Sequence, residues 1–99
     1  MYRVSVQGKF HDLSPSQRTK LVKESDVARM AFTESGTFTC DRTASVFTFR
    51  CAVAAGVDFE DWMAVETALE ALAEHGYSHT VLRARATDMR EVKDRRRHR

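Results

Sequence analysis

From Gly36 to Val53 the chain reads GTFTCDRTASVFTFRCAV, two alternating runs around the polar tetrad RTAS. A period of two belongs to a strand with one buried face, so the pattern predicts a β-hairpin of Thr37–Asp41 and Val46–Val53. Setting Asp41 opposite Val46 brings Phe38 against Phe49, Cys40 against Phe47 and Gly36 against Cys51. Thr37, Thr39, Thr48 and Arg50 then share the other face. A one-residue slip would mix the two sets, so patterning selects this register. Burying Phe38, Phe47 and Phe49 is worth about 1.5–3 kcal/mol each. That sum is comparable to a whole domain's stability of about 5–15 kcal/mol. The phenylalanine face must therefore meet the rest of the core.

The remaining elements follow from the same reasoning. In YRVSVQGKF, Tyr2, Val4 and Val6 alternate with Arg3, Ser5 and Gln7, a half-buried strand that Gly8 is expected to end. LSPSQRTKLVKES starts a helix, with Ser14 as N-cap, Pro15 at the first helical position and Gln17 closing a capping box. Leu21 and Val22, with Leu13 ahead of the cap, supply its apolar side. Residues 25–35 read equally as helix or as cover for the sheet edge. A second helix runs through GVDFEDWMAVETALEALAEHGY. Asp58 is its expected cap, Gly76 its stop, and Trp62, Val65, Leu69 and Leu72 its buried stripe. HTVLRARAT, from His79, makes the last strand.

The order β-α-β-β-α-β predicts an α+β fold, the ferredoxin-like sandwich, with a four-stranded antiparallel sheet and both helices on one face. The first and third strands are central in that topology. The inner face should hold Tyr2, Val4, Val6, Leu82 and the helical Trp62, Leu69 and Leu72. The open face should show Arg3, Ser5, Gln7, Thr37, Thr39, Thr48, Arg50, Val81, Arg83 and Arg85.

Charge is unevenly placed along the 99 residues. Residues 1–89 carry 10 Lys/Arg against 12 Asp/Glu, whereas REVKDRRRHR, residues 90–99, carries 6 against 2. The expected organisation is one domain over 1–89 and a basic, disordered tail over 90–99. No apolar run approaches the roughly 20 residues of a membrane span, and MYRVSV lacks the pattern of a signal peptide. A cytoplasmic protein with no membrane role is expected.

The cysteines are expected to be core thiols. They lie four residues apart along the hairpin, about 13 Å at strand rise, beyond the roughly 7 Å a disulfide allows. No C-x-x-C or H-x-H spacing accompanies them, so no metal and no cofactor is expected. His11 beside Asp12, His75 and His79 read as structural. A third-strand signature like that of an RNA-recognition motif is suggested by SVFTFRCAV, but such motifs stack bases on open-face aromatics. The strand aromatics here turn inward, which disfavours specific nucleic-acid binding and leaves the tail a nonspecific attraction for phosphates. Val6-Gln7-Gly8 is similar to a fragment of the acylphosphatase V-Q-G motif. Lys9-Phe10-His11-Asp12 departs from the rest of it, and that activity is not carried over.

The cluster with chemical content is the open face. Arg3, Gln7, Thr39, Thr48, Arg50, Arg83 and Arg85 are the candidate ligand-binding residues, suited to a small anion. Two arginine charges 7 Å apart in water repel by only about 0.6 kcal/mol, so the face is stable without a ligand. The expected function is a noncatalytic module that binds a small anionic ligand or a protein partner there, as a homodimer. An enzyme of the dimeric α+β-barrel type, monooxygenase- or cyclase-like, is the alternative. It needs a cavity between helices and sheet, where Ala84 and Ala86 leave room. YRVSVQGKF, LSPSQR, AFTESGTFTCD, FTFR and ATDM together resemble a family of short actinobacterial proteins known only as a domain of unknown function. The resemblance implies a stand-alone α+β protein with no assigned site residues. It also implies a tyrosine at the position of Cys40 in many relatives, which favours packing over thiol chemistry there.

Overall fold

The computed structural model describes residues 1–25 and 31–89. Six elements follow one another: β1 (Tyr2–Phe10), α1 (Pro15–Glu24), β2 (Thr37–Cys40), β3 (Val46–Val53), α2 (Asp61–Glu74) and β4 (His79–Asp88). The strands form one antiparallel sheet in the order β2-β3-β1-β4, compatible with a ferredoxin-like fold. No helix among the described residues is long and apolar enough to cross a membrane. The tail, residues 90–99, and residues 26–30 of the ambiguous stretch 25–35 lie outside the described residues.

The hairpin takes the register that alternation requires. Phe38 pairs with Phe49, Thr39 with Thr48, Cys40 with Phe47 and Thr37 with Arg50. Gly36 departs from expectation, since it does not extend this ladder to Cys51. Thr33 forms an isolated parallel bridge with Cys51 instead, and its carbonyl accepts from the Ala52 amide at 2.8 Å. Asp41 secures the turn by accepting from the amides of Ser45 (2.7 Å) and Val46 (3.3 Å) and from the Thr43 hydroxyl (2.9 Å).

At α1 the Ser14 hydroxyl accepts from the Gln17 amide at 3.1 Å while the Gln17 side chain accepts from the Ser14 amide at 2.9 Å. Two backbone donors at the helix start are thereby satisfied, and Leu21 is buried beneath the helix.

The start of α2 differs from the sequence expectation. Glu60, not Asp58, occupies the N-cap, and it makes no side-chain capping bond. Phe59 packs its ring 5.7 Å from that of Tyr2, and its carbonyl accepts from the Tyr2 hydroxyl at 3.2 Å. That contact holds Phe59 outside the helix and delays the first turn. The buried stripe is Ala64, Ala68 and Leu72, with Val65 and Leu69 half-buried. Trp62 is 55% exposed and donates to the Glu60 carboxylate at 2.7 Å. Small side chains on the inward stripe let α2 lie close against β1, β3 and β4, which excludes a bulky indole from it.

Two further differences concern β1 and β4. The strand does not end at Gly8 but runs on to Phe10. Gly8 is needed in mid-strand because a Cβ there would press on the Thr80 carbonyl (2.5 Å) and the Phe47 ring (2.6 Å). At this point the β1–β4 register shifts: Gln7 pairs with Arg83, but Gly8 pairs with Val81. Leu82 is therefore an extra residue, a β-bulge. It does not join the core, being 57% exposed, and Val81 takes the place opposite Gly8. On the same strand Ala84 is exposed and Ala86 half-buried, so Ala84 is not sealed beneath the helices. The core instead joins Val4, Val6, Phe10, Phe47, Phe49, Cys51, Leu21 and Leu72 in one cluster.

Candidate functional site

The open face is built from the residues that alternate away from this cluster. Cross-strand pairing sets them in rows. Ser5 lies between Arg50 and Arg85, and Gln7 between Thr48 and Arg83. These six residues line a hollow of about 280 Å³. The sequence expectation of Gln7, Thr48, Arg50, Arg83 and Arg85 as neighbours is thus met in space, with Ser5 as their centre. The lining holds three guanidiniums and no carboxylate.

The arginines are not equivalent. Arg50 is half-buried, and its Nη1 donates to Thr39 Oγ1 at 2.7 Å, which connects Thr39 to the hollow and fixes the guanidinium. Arg83 and Arg85 are exposed on the edge strand. Arg3 is not among the lining residues. Its guanidinium carbon lies 5.4 Å from the centroid of the Phe32 ring, a cation–π contact on the side of the loop before β2. The open face therefore meets one aromatic after all, brought by a loop and not by a strand.

A second hollow of about 400 Å³ adjoins the first and shares Gln7 and Thr48 with it. Gly8, Thr39, Cys40, Asp41, Val46, Phe47 and the bulged Leu82 complete its lining. Alternation assigned Leu82 to the wrong side. The available signal was Gly8, because a glycine inside an alternating strand often marks a bulge. Nothing in the sequence pointed to Phe32.

Residue by residue, these contacts attach no known chemistry to the hollow, and relatives are the other source of a role. A family model matches residues 1–99. The chain belongs to DUF6204, a family of unknown function. No curated protein and no solved structure matches it. Membership in DUF6204 brings no residue roles, so the remaining candidates are decided by their surroundings.

Both cysteines are free, Cys51 buried and Cys40 half-buried. Burial pushes both thiols above their usual range, with the Asp41 and Glu34 charges adding to the effect at Cys40 and Cys51 respectively. Protonated thiols are poor nucleophiles and poor ligands. Among the histidines, His75 Nε2 donates to the Ser35 carbonyl at 2.9 Å and its ring meets those of Phe38 and Phe49. His79 Nδ1 donates to the Tyr77 carbonyl at 2.7 Å. His11 Nε2 bonds Thr80 Oγ1 at 2.5 Å, a partner on β4 rather than its neighbour Asp12. Among the described residues, no group of three His, Cys, Asp or Glu side chains is placed to hold a metal.

Asp41 is the titrating group at the rim. The Ser45 amide above all, with help from the Thr43 hydroxyl and the Val46 amide, holds its carboxyl below the ordinary value of 3.8 despite slight burial. A lowered folded-state pKa stabilises the protein fully above 3.8 and loses that contribution as pH falls through the folded value. The stability gap between the wild type and Asp41→Asn, measured by urea unfolding, is therefore expected to narrow from pH 6 to pH 3. A gap that stays constant would mean that the ionised carboxylate does not hold the turn.

Proposed function

We propose that this protein is a noncatalytic binding module that takes a small anion on its open sheet face, at Arg50, Arg83 and Arg85. One observation carries the reading: three guanidiniums converge on a single hollow with Ser5, Gln7 and Thr48 and with no carboxylate in its lining. An arginine offers a rigid fork of donors suited to carboxylate or phosphate. Arg50 is already held by Thr39, so part of the ordering cost is met before a ligand arrives. Arg83 and Arg85 are free to close over the anion from the edge.

The test is titration with inorganic phosphate and with acetate at low ionic strength, read by thermal shift and calorimetry. Wild-type protein is expected to show saturable binding. The double variant Arg83→Gln/Arg85→Gln should lose about tenfold or more, because a charge-assisted hydrogen bond is worth about 1.5–3 kcal/mol. Both positions are exposed, so the variant's own stability should stay within about 0.5 kcal/mol of the parent's. Arg50 is the poorer probe, since its loss also strands Thr39. Equal binding by parent and double variant, or none by either, refutes the reading.

The unit that binds is residues 1–89, with the basic segment 90–99 outside it and the whole at work in the cytoplasm. A homodimer is proposed through β4. Among the described strands β4 pairs only with β1, and most of its ten residues are exposed. Pairing face to face would bring two sets of arginines together, whereas edge-to-edge pairing leaves the hollow open. Sedimentation equilibrium that finds a monomer at about 100 µM, far above the nanomolar-to-micromolar range of stable association, rules the dimer out.

A further inference from the structure

We infer that the ligand of this face is an amphiphilic organic acid, its anionic head at Arg50, Arg83 and Arg85 and its apolar body laid toward Leu82 and Val46. The inference rests on the anion-binding reading above and adds the direction and chemistry of the rest of the molecule. Three observations carry it. First, the arginine hollow and the larger one beside it share Gln7 and Thr48, which pair directly across β1 and β3, so the two meet end to end as a groove along the strands. From the row of Ser5 to that of Lys9 the groove runs about 13 Å at strand rise, a length for roughly ten carbons.

Second, its far end presents apolar side chains to solvent. Leu82 is 57% and Val46 44% exposed, and both line the second hollow. Leu82 arrives there only because of the bulge opposite Gln7 and Gly8. Bulges recur beside binding sites because they re-aim a side chain, and this one places a leucine in the same lining as Val46. Third, the groove is electrically polar along its length. Guanidiniums stand at one end, while the Asp41 carboxylate, kept ionised by the turn amides, stands at the other. Lys9 pairs with Val46 at the Asp41 end and offsets that carboxylate, whereas three guanidiniums stand unopposed at the other, so a single anionic head is drawn to the arginine end. Together the two hollows have the capacity of an ordinary small-molecule site.

The experiment compares acetate, hexanoate, decanoate and decanedioate by calorimetry on the full chain, with inorganic phosphate alongside. Affinity should rise by up to about fourfold per methylene from acetate to decanoate, as expected for burial of a chain. Decanedioate should bind more weakly than decanoate, because its second carboxylate would stand where decanoate lays an apolar end against Leu82 and Val46. Leu82→Ser should cancel most of the gain of decanoate over acetate and leave phosphate binding unchanged. Val46→Ser, on the opposite side of the groove, gives an independent second reading should the first variant disturb β4. If phosphate and acetate bind but decanoate gains nothing over acetate, or if its gain survives both substitutions, the amphiphile inference is overturned while anion binding stands. If no anion binds at all, both fail together.

Discussion

Replacing Gly36 by alanine is expected to destabilise the protein by about 2–5 kcal/mol, read as a loss in urea unfolding free energy at an unchanged m-value. Two costs combine. Gly36 has φ +85°, in the left-handed region where a Cβ costs roughly 1–2 kcal/mol. The added Cβ would also overlap the ring of Phe49, which is fully buried and has nowhere to retreat. Forcing extra volume into a packed core costs about 1–3 kcal/mol more. A loss under about 1 kcal/mol would show that the chain before β2 gives way, and that Gly36 does not set how closely it approaches the core.

The second large effect sits on the other side of that contact. Phe49→Ala should cost about 3–5 kcal/mol, the usual range for emptying a buried aromatic site. Phe49 is fully buried, with its ring centroid 4.9 Å from that of Phe38 and 5.5 Å from that of His75. Against a total of about 5–15 kcal/mol this removes much of the stability of so small a domain. The two substitutions are coupled. Once the ring is gone, the methyl group added by Gly36→Ala has nothing to collide with, so the double variant should lose at least about 1 kcal/mol less than the sum of the singles. Strict additivity would place the cost of Gly36→Ala in its backbone alone. Because Arg50 adjoins Phe49 on β3, these variants also bear on function. A binding loss that tracks their stability loss is structural, whereas Arg83→Gln/Arg85→Gln should separate the two.

What the hairpin would do was readable because its information is local. Phe38, Phe47 and Phe49 alternate, their burial outweighs other terms, and a slip of one residue would expose all three. The α1 cap was readable for a related reason: Ser14, Pro15 and Gln17 satisfy their own backbone without help from afar. The start of α2 was not, since what sets it is Tyr2, far away in sequence, which holds Phe59 out of the helix. Trp62 looked buried because it matched the helical period. Its exposure follows from the close seat that Ala64 and Ala68 give the helix on the sheet, a fact of packing and not of periodicity.

The candidate site divides in the same way. Alternation alone was enough to bring Gln7, Thr48, Arg50, Arg83 and Arg85 to one face, because a strand's side chains must take turns about its plane. It could not separate Arg3 from them, which depends on a loop phenylalanine, Phe32, coming to meet its guanidinium. Nor could it place Leu82. Counting by twos buried this leucine, and counting by twos fails at a bulge. That bulge lies at Gly8, where the Phe47 ring and the Thr80 carbonyl approach so closely that no side chain fits between them. The sequence by itself determined which residues share the arginine face. Only the tertiary structure, through that close approach of three strands, decided that an exposed leucine would stand at the end of it.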